Sequence, residues 1–501
     1  TDQDYENIES IVAHEYFHNW SGNRVTLRDW FQLCLKEGFT VFRDQEFSAD
    51  MRERAVQRIK DVRRLWASQF PEDAGPLAHP PRPSEFVTID NFYTATVYEK
   101  GAEVVRMLKT LLGPEKFRAA SDLYFERHDG EAATVENFAQ AMEDASGLDL
   151  AQFRLWWSEA GTPHVTARVA AAPGGPARVT LSQNVSPPRR IPLGYAVIGA
   201  KTGRVLGEGL IDLKDGEETL ALPLDDAAGT QERPLVSLNT GFSAPIILNL
   251  DRPLGDRVAL AKSDPDPFNR WSTVDGLWRD AFLAEAGRKS DFDAAAALKG
   301  LAEALADAID ETSAGGSLAP AFAAQLLAAP TASDLLQGLS NIDPPAFVDA
   351  RDKVRRALAQ RLEPRLMGAY KTFQTPGPYD PSAEDAGRRA LKNAALSLLT
   401  AGGHAALAAA QAREAANMTD MAAACSILAQ TDATERDEAL SRFYARWRND
   451  ALVVNKWLAW RAMRPDERAL SDIKSLLTHE AYDPGTPNKV RALIGGFANL
   501  N

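Results

Sequence analysis

Cysteine is scarce in this sequence, with two residues in 501, Cys34 and Cys425. So few cysteines do not form a disulfide scaffold in a chain of this size, and we expect both to be reduced core residues. No stretch approaches the roughly 18 consecutive apolar residues that predict a membrane span. Positive charge is in deficit too, because 56 basic residues stand against 69 acidic ones. The net charge of −13 argues against nucleic acid as the main partner. The reduced cysteines fit a reducing setting, so we expect a cytoplasmic protein.

Three regions with different sequence patterns divide the chain. Residues 1–161 carry apolar residues at helical spacing, residues 162–258 contain short β-branched runs between turn signals, and residues 259–501 are helical and alanine-rich. The length suits about three domains. We therefore predict a multidomain α+β fold with a mainly helical first domain, a small β-sandwich and a C-terminal helical bundle or solenoid. Because the sequence starts with Thr1 and stops without a polar tail, we expect it to be truncated at both ends.

A histidine pair one helical turn apart is the first sign of chemistry. The run His-Glu-Tyr-Phe-His near the start of the chain lies on a predicted helix and fits the pattern His-Glu-x-x-His. Positions i and i+4 lie on one helix face, so His14 and His18 can bind the same metal ion. Glu15 lies between them, placed to reach a water molecule rather than the metal. Since Ile8 and Ile11 extend the histidine face, we expect the histidines to point toward the interior.

A candidate third ligand follows His18 on the next predicted helix. That helix begins at Asp29, with Gln32 completing a capping box. Glu37 shares its apolar stripe with Leu33, Cys34 and Val41. A carboxylate that faces a core is costly unless it meets a cation, and a zinc ion held by two histidines would supply one. Catalytic zinc takes three protein ligands and keeps one position open. We therefore predict one zinc ion per chain, bound by His14, His18 and Glu37.

Taken singly, these residues have plainer interpretations. A lone histidine is most often a hydrogen-bonded core residue, and we interpret the five other histidines as structural: His79, His128, His164, His404 and His479. Tyr98 lies near the start of a predicted helix from about Thr94 to Leu112 and is, by itself, most simply a core aromatic residue. The zinc hypothesis therefore depends on the three ligands occurring together.

A longer run shows a resemblance to a known family. The sequence His-Glu-Tyr-Phe-His-Asn-Trp-Ser-Gly-Asn-Arg-Val-Thr at 14–26, with Leu-Lys-Glu-Gly at 35–38, resembles the aminopeptidase N family of gluzincin zinc aminopeptidases. It is most similar to the bacterial alanyl aminopeptidase branch. The resemblance covers the whole chain and implies a thermolysin-like catalytic domain at 1–161, a small β domain at 162–258 and a helical domain at 259–501.

The resemblance also implies roles for two further residues. Tyr98, within Val-Tyr-Glu-Lys-Gly, matches a family tyrosine that hydrogen-bonds the oxyanion formed during peptide hydrolysis. Asp44 resembles an acid that orients a zinc ligand, although a surface salt bridge is an equally good interpretation. The family's Gly-Ala-Met-Glu-Asn motif, whose glutamate binds the free α-amino group, is absent from this sequence. Recognition of the amine is therefore implied by resemblance alone.

These features together predict a zinc-dependent aminopeptidase that hydrolyses the N-terminal residue from peptides. Glu15 would act as the general base, and the substrates would be peptides with a free N-terminus. Two alternatives are another zinc hydrolase on the same scaffold, such as an endopeptidase or an epoxide hydrolase, and a non-catalytic interaction module. We expect a monomer that binds neither nucleic acid nor membrane.

Overall fold

The computed structural model describes residues 1–172, 175–224, 232–288, 293–331, 334–335, 339, 341 and 343–500. The chain divides into two compact units. The first unit is built mainly from Glu6–Leu277, and the second mainly from Trp278–Pro330 and the chain beyond residue 343, together with Thr1–Tyr5. Most described residues are helical, and the longer strands lie between residues 164 and 249. The multidomain, mostly helical fold with some sheet is thus confirmed, while the division at residues 161 and 258 stays a prediction.

Helices of very different lengths form most of the first part of the chain. The α-helices between residues 2 and 285, numbered in chain order, are α1 (Asp2–Phe17), α2 (Leu33–Met51), α3 (Arg54–Arg64), α4 (Phe70–Ala74), α5 (Gly101–Leu112), α6 (Pro114–His128), α7 (Val135–Ser146), α8 (Leu155–Ser158), α9 (Leu254–Ser263) and α10 (Pro267–Glu285). Short 3-10 turns are Trp30–Gln32, Ile89–Phe92 and Thr240–Phe242. Two segments in this part of the chain are π-helical, Leu65–Gln69 and Thr96–Lys100, and a third, Arg491–Gly495, lies near the end of the described residues.

Helix α2 begins differently from the prediction. Asp29 caps the preceding 3-10 turn, where its Oδ1 atom accepts hydrogen bonds from Phe31 N and Gln32 Nε2, each at 3.1 Å. The predicted capping box is wrong, because the side-chain Oε1 atom of Gln32 accepts from Val135 N at 3.0 Å. Most of α2 is buried, including the polar residues Glu37, Thr40 and Asp44. Cys34 and Cys425 are both buried and neither forms a disulfide bond, which agrees with the sequence prediction.

Helix α1 packs through a different face from the one that its isoleucines suggested. Ile8 and Ile11 are each 61 % exposed, so they do not extend a buried face. The packed side is formed by residues such as Phe17, whose ring lies 5.6 Å from that of Phe39 in α2. Because Phe17 directly precedes His18 and is three residues from His14, this contact turns both histidines toward α2.

Nine strands form two larger sheets and one short two-stranded sheet within the described residues. The strands are β1 (Thr26–Leu27), β2 (Ala132–Ala133), β3 (His164–Ala170), β4 (Arg178–Gln183), β5 (Ile191–Gly199), β6 (Val205–Leu213), β7 (Glu217–Ala221), β8 (Pro234–Leu238) and β9 (Ile247–Asn249). The four-stranded sheet has the order β7-β4-β3-β9 and the three-stranded sheet the order β6-β5-β8. Pairing is antiparallel except between β3 and β9, and in the short β1–β2 pair. Both sheets contribute to one hydrophobic core with α2, α5 and α7.

All regular secondary structure in the described residues of the second unit is helical. Its longer helices are Ala294–Ser313, Pro320–Leu327, Pro344–Thr372, Ala383–Ala401, Ala405–Glu414, Met418–Ala429, Glu435–Trp447, Ala451–Ala462 and Ala469–Leu476. Side chains cap several starts, as where Asp450 Oδ1 accepts from the backbone N–H groups of Leu452 and Val453. Within the part of the chain that the structure describes, no helix has the length and apolarity needed to cross a bilayer.

Candidate active site

His14 and His18 turn their rings toward each other on α1. Their Nε2 atoms lie 3.0 Å apart. On the far side of each ring, Nδ1 of His14 lies 2.7 Å from Oδ2 of Asp44, and Nδ1 of His18 lies 2.9 Å from the carbonyl oxygen of Ser21. Because carboxylate and carbonyl oxygens only accept, both Nδ1 atoms donate, and the Nε2 atoms of neutral rings present lone pairs. Two lone pairs at this distance repel each other unless a proton or a metal ion lies between them.

Glu37 completes a set of three possible metal ligands. Its Oε2 atom lies 3.4 Å from Nε2 of His14 and 3.3 Å from Nε2 of His18. A tetrahedral ion with bonds of about 2.0–2.1 Å separates its ligand atoms by about 3.3–3.4 Å. Among the described residues, this is the group whose ligand atoms gather for a metal, all within 4.8 Å of one another. The spacing and the nitrogen and oxygen donors fit zinc.

The charges at this group also suit a cation. Burial alone would raise the pKa of Glu37, but its polar contacts with His14, His18 and Lys36 outweigh burial and hold that pKa well below its usual range. Burial alone would lower the pKa of His14, whereas its hydrogen bonds to Asp44 and Glu37 raise the pKa to about 9. Asp44 and Glu37 therefore stabilise positive charge on the His14 ring. They would likewise stabilise a metal ion bound at its Nε2 atom.

One face of α2 supplies the groups that hold both rings. Asp44 is 8 % exposed, and its carboxylate contacts His14 instead of a surface cation. Thr40 Oγ1 lies 3.3 Å from Nδ1 of His18. Glu37, Thr40 and Asp44 follow each other at i, i+3 and i+7, which places them on one side of the helix. Thr40 was not among the predicted site residues, although its spacing from Glu37 and Asp44 places it on the same helix face.

Glu15 and Tyr98 border the same group from two different elements. Glu15 is exposed on α1, and Tyr98 is half-buried in the π-helical turn Thr96–Lys100. Burial, the negative charge of Glu37 and a hydrogen bond to Glu37 raise the pKa of Tyr98, and the charge of Glu15 adds to this effect. The phenol therefore keeps its proton at neutral pH and can donate a hydrogen bond.

The turn that carries Tyr98 differs from the sequence prediction. A regular helix was expected from Thr94 to Leu112, but residues 96–100 form a π-helical turn before α5 begins at Gly101. Such turns are rare and occur often at functional sites. No sequence pattern predicts this turn, because π-helical geometry has no spacing pattern of its own over five residues.

The other histidines do not join this group within the described chain. His79 has the nearest connection to it, since its Nε2 atom lies 2.8 Å from Oγ1 of Thr94, which precedes the Tyr98 turn. His128 and His404 each lie beside a glutamate, Glu131 and Glu363 respectively. Their structural interpretation stays a prediction.

The chain is similar in sequence to known peptidases, both around the candidate site and over its full length. Residues 1–157, which contain all six candidate site residues, match the Peptidase family M1 domain. Over the full chain, Aminopeptidase N of Caulobacter vibrioides is 46 % identical in 512 aligned residues, and Aminopeptidase N of Escherichia coli is 38 % identical in 524. The first 157 residues of this chain therefore form a peptidase family M1 domain.

The M1 relatives are longer than this chain. The alignments cover all of it but 58 % of the Caulobacter protein and 59 % of the Escherichia protein. Residues 255–501 match a region described as "Domain of unknown function (DUF3458_C) ARM repeats", in agreement with the helical second unit. A crystal structure of Legionella pneumophila aminopeptidase A in complex with aspartic acid has a TM-score of 0.84 and 28 % identity, covering 97 % of this chain and 56 % of that one.

Proposed function

We propose that this chain is the catalytic part of a zinc-dependent aminopeptidase that removes the N-terminal residue from peptides. The single observation that carries the proposal is the 3.0 Å approach of the two Nε2 atoms of His14 and His18. With Oε2 of Glu37 beside them, these atoms would hold one zinc ion and leave a position open. Asp44, through Nδ1 of His14, would keep that ring oriented toward the metal.

The chain's own residues would divide the proton and charge transfers between them. When bound, zinc supplies Lewis-acid polarisation of the scissile carbonyl and acidifies water. Glu15 would accept a proton from the attacking water at its carboxylate and then deliver it to the leaving amine. Tyr98 would donate a hydrogen bond to the carbonyl oxygen as negative charge develops there. The raised pKa of Tyr98 favours this role, since the donor stays protonated.

The substrates and setting are proposed with the activity. Peptides with a free N-terminus would be the substrates, and the protein would act as a cytoplasmic monomer. The finer fold description belongs to the proposal too: a thermolysin-like catalytic domain at 1–161, a small β-sandwich at 162–258 and a helical bundle or solenoid at 259–501. The names of the M1 relatives support an aminopeptidase, and the described contacts support the metal ligands.

The deciding experiment measures zinc and peptide hydrolysis on the same preparation of the full-length protein. We expect one zinc per chain, hydrolysis of alanyl-anilide, loss of activity on chelation and recovery on adding zinc. An N-acetylated alanyl-anilide serves as the matched control and should resist hydrolysis, because an aminopeptidase needs the free amine. Cleavage of the blocked substrate would favour an endopeptidase. Zinc without hydrolysis of either would point to a different substrate, such as an epoxide, and a zinc-free protein would refute the metal site.

A further inference from the structure

The π-helical turn that presents Tyr98 is held by side chains from outside it. In this turn the N–H of Gly101 donates to the carbonyl of Thr96, five residues earlier. A π-helical turn is less favourable than an α-helical one and persists where its surroundings hold it. Relaxation to an α-helical turn would shift the register by one residue, or about 100° around the axis. Tyr98 would then turn away from Glu37.

The first end of the turn is fixed by Glu72. Oε2 of Glu72, in the short helix α4, accepts hydrogen bonds from Thr96 N at 2.7 Å and from Thr96 Oγ1 at 2.6 Å. Thr96 is fully buried, so these two donors have no access to water. The carboxylate therefore satisfies both polar groups at the start of the turn, and a turn that moved Thr96 away would leave buried donors without a partner.

The second end of the turn is fixed by Asp73, the neighbour of Glu72. Nζ of Lys100 lies 2.7 Å from Oδ2 of Asp73, and the two side chains are 1 % and 0 % exposed. Asp73 is itself held, since its Oδ1 atom accepts from Gly161 N at 2.7 Å. A buried ion pair with additional hydrogen bonds is costly to break, because one charge would be left unpaired. Adjacent residues of α4 thus hold both ends of one turn.

A third contact fixes the residues just before the turn. Nδ1 of His79 donates to the carbonyl oxygen of Leu77 at 2.8 Å, so Nε2 of the neutral ring accepts from the hydroxyl of Thr94 at 2.8 Å. Oγ1 of Thr94 in turn accepts from Val97 N at 3.2 Å. The proline-rich segment at residues 70–85, which contains α4 and His79, therefore contacts the turn at two places and the residues just before it at a third.

We infer that Glu72 is a positioning residue for Tyr98, acting with Asp73 to keep the turn π-helical and the phenol beside Glu37. The inference rests on the proposed function, in which the phenol must meet a developing oxyanion within a few tenths of an ångström. Glu72 touches neither the metal ligands nor the substrate in this account. Its effect passes through the turn alone.

The test uses kcat and KM of the full-length protein with alanyl-anilide. Tyr98→Phe should lower kcat by about 10²–10³-fold. Glu72→Ala should lower kcat by about tenfold or more with little change in KM or zinc content, and Glu72→Gln, which keeps an acceptor oxygen, should restore most of the loss. Added to Tyr98→Phe, Glu72→Ala should cause no further loss, because the group it positions is gone. Glu85→Ala, an exposed residue of the same segment, is the matched control and should behave as wild type.

Hydrogen–deuterium exchange gives a readout that does not depend on activity. We expect faster exchange of the amides in residues 94–101 in Glu72→Ala and wild-type protection in Glu72→Gln. If Glu72→Ala does not fold, Thr96→Val takes its place in the comparison with Tyr98→Phe, because Thr96→Val removes only the hydroxyl donor. Equal losses of kcat from Glu72→Ala in wild-type and Tyr98→Phe backgrounds, or unchanged exchange, would overturn the inference. Full turnover in Tyr98→Phe would instead refute the proposed role of the tyrosine. Hydrogen–deuterium exchange would still show whether Glu72 holds the turn.

Discussion

Gly38 of α2 packs directly against Gly101 at the start of α5. A Cβ atom on Gly38 would lie 2.7 Å from the carbonyl carbon of Gly101, which is closer than real Cβ atoms come to backbone. The two helices cross at this point without any side chain between them. Glu37 precedes Gly38, and Tyr98 lies three residues before Gly101, so the crossing brings the candidate oxyanion donor close enough to the candidate metal ligand for the charge of Glu37 to raise the pKa of the phenol.

The first prediction concerns this crossing. We expect Gly38→Ala to lower the free energy of unfolding by about 1–3 kcal/mol, because the helices must separate to admit a methyl group. The same separation should reduce kcat, since Tyr98 moves away from Glu37. Chemical denaturation and steady-state kinetics measure the two effects. Gly255→Ala is the matched control: it also lies in a helix, but an added Cβ there meets nothing within 4 Å, and stability should not fall. Equal stability of the two variants would contradict the account.

The second prediction concerns the proposed general base. Glu15→Gln removes the proton acceptor and keeps the size of the side chain, so kcat should fall by about 10²–10⁴-fold with zinc content unchanged. Glu9→Gln, on the same helix and paired with Arg52, is the control and should retain turnover. Near-normal turnover of Glu15→Gln with zinc bound would remove Glu15 from the mechanism.

The third prediction concerns the contact behind His14. Asp44→Asn keeps a hydrogen-bond acceptor for Nδ1 of His14 but removes the negative charge, so zinc affinity should fall by about 10–100-fold. Competition with a zinc chelator measures this directly. Asp129→Asn loses an exposed carboxylate paired with Arg24 and should bind zinc as the wild type does. Unchanged affinity in Asp44→Asn would show that the charge does not act on the metal.

The fourth prediction follows from a buried carboxyl group in α3. Burial raises the pKa of Asp61 to about 6, despite the nearby charges of Arg106 and Arg58. The folded state then keeps this proton at pH values where the unfolded chain, with a pKa of about 3.9, has lost it. The contribution of Asp61 to stability therefore falls as pH rises from about 4 to about 6, and stays low above that.

Asp61→Asn carries no charge and should escape this loss. Relative to wild type, the free energy of unfolding of Asp61→Asn should gain about 2 kcal/mol between pH 4.5 and pH 7.5. Urea unfolding at the two pH values measures the difference. Asp122→Asn, which loses an exposed carboxylate paired with Arg118, should show no such pH dependence. A constant difference between Asp61→Asn and wild type would mean that Asp61 is charged in both conditions.

Much of the candidate site was accessible from the sequence, because its central part is local. His14, Glu15 and His18 lie within one and a half turns of one helix, where backbone geometry alone decides which residues share a face. Glu37 was proposed on chemical grounds, as an acid on an apolar helix face. Tyr98 and Asp44 were proposed by resemblance. The strands β6, β7 and β8 and the π-helical turn at residues 96–100 were not predicted, and Ile8 and Ile11, which were expected to extend the inward histidine face of α1, are exposed.

The sequence by itself determined the helices, the change to strands after residue 161 and the types of ligand available to a metal. These features depend on periodicities of a few residues, which covalent geometry imposes wherever the chain lies. Tertiary structure alone decided that Gly38 meets Gly101 and that Glu72 reaches Thr96. Such contacts join residues tens of positions apart, and they depend on how the side chains of the whole core pack at close density. No local pattern encodes that packing, so the position of Tyr98 beside Glu37 became visible only in the folded chain.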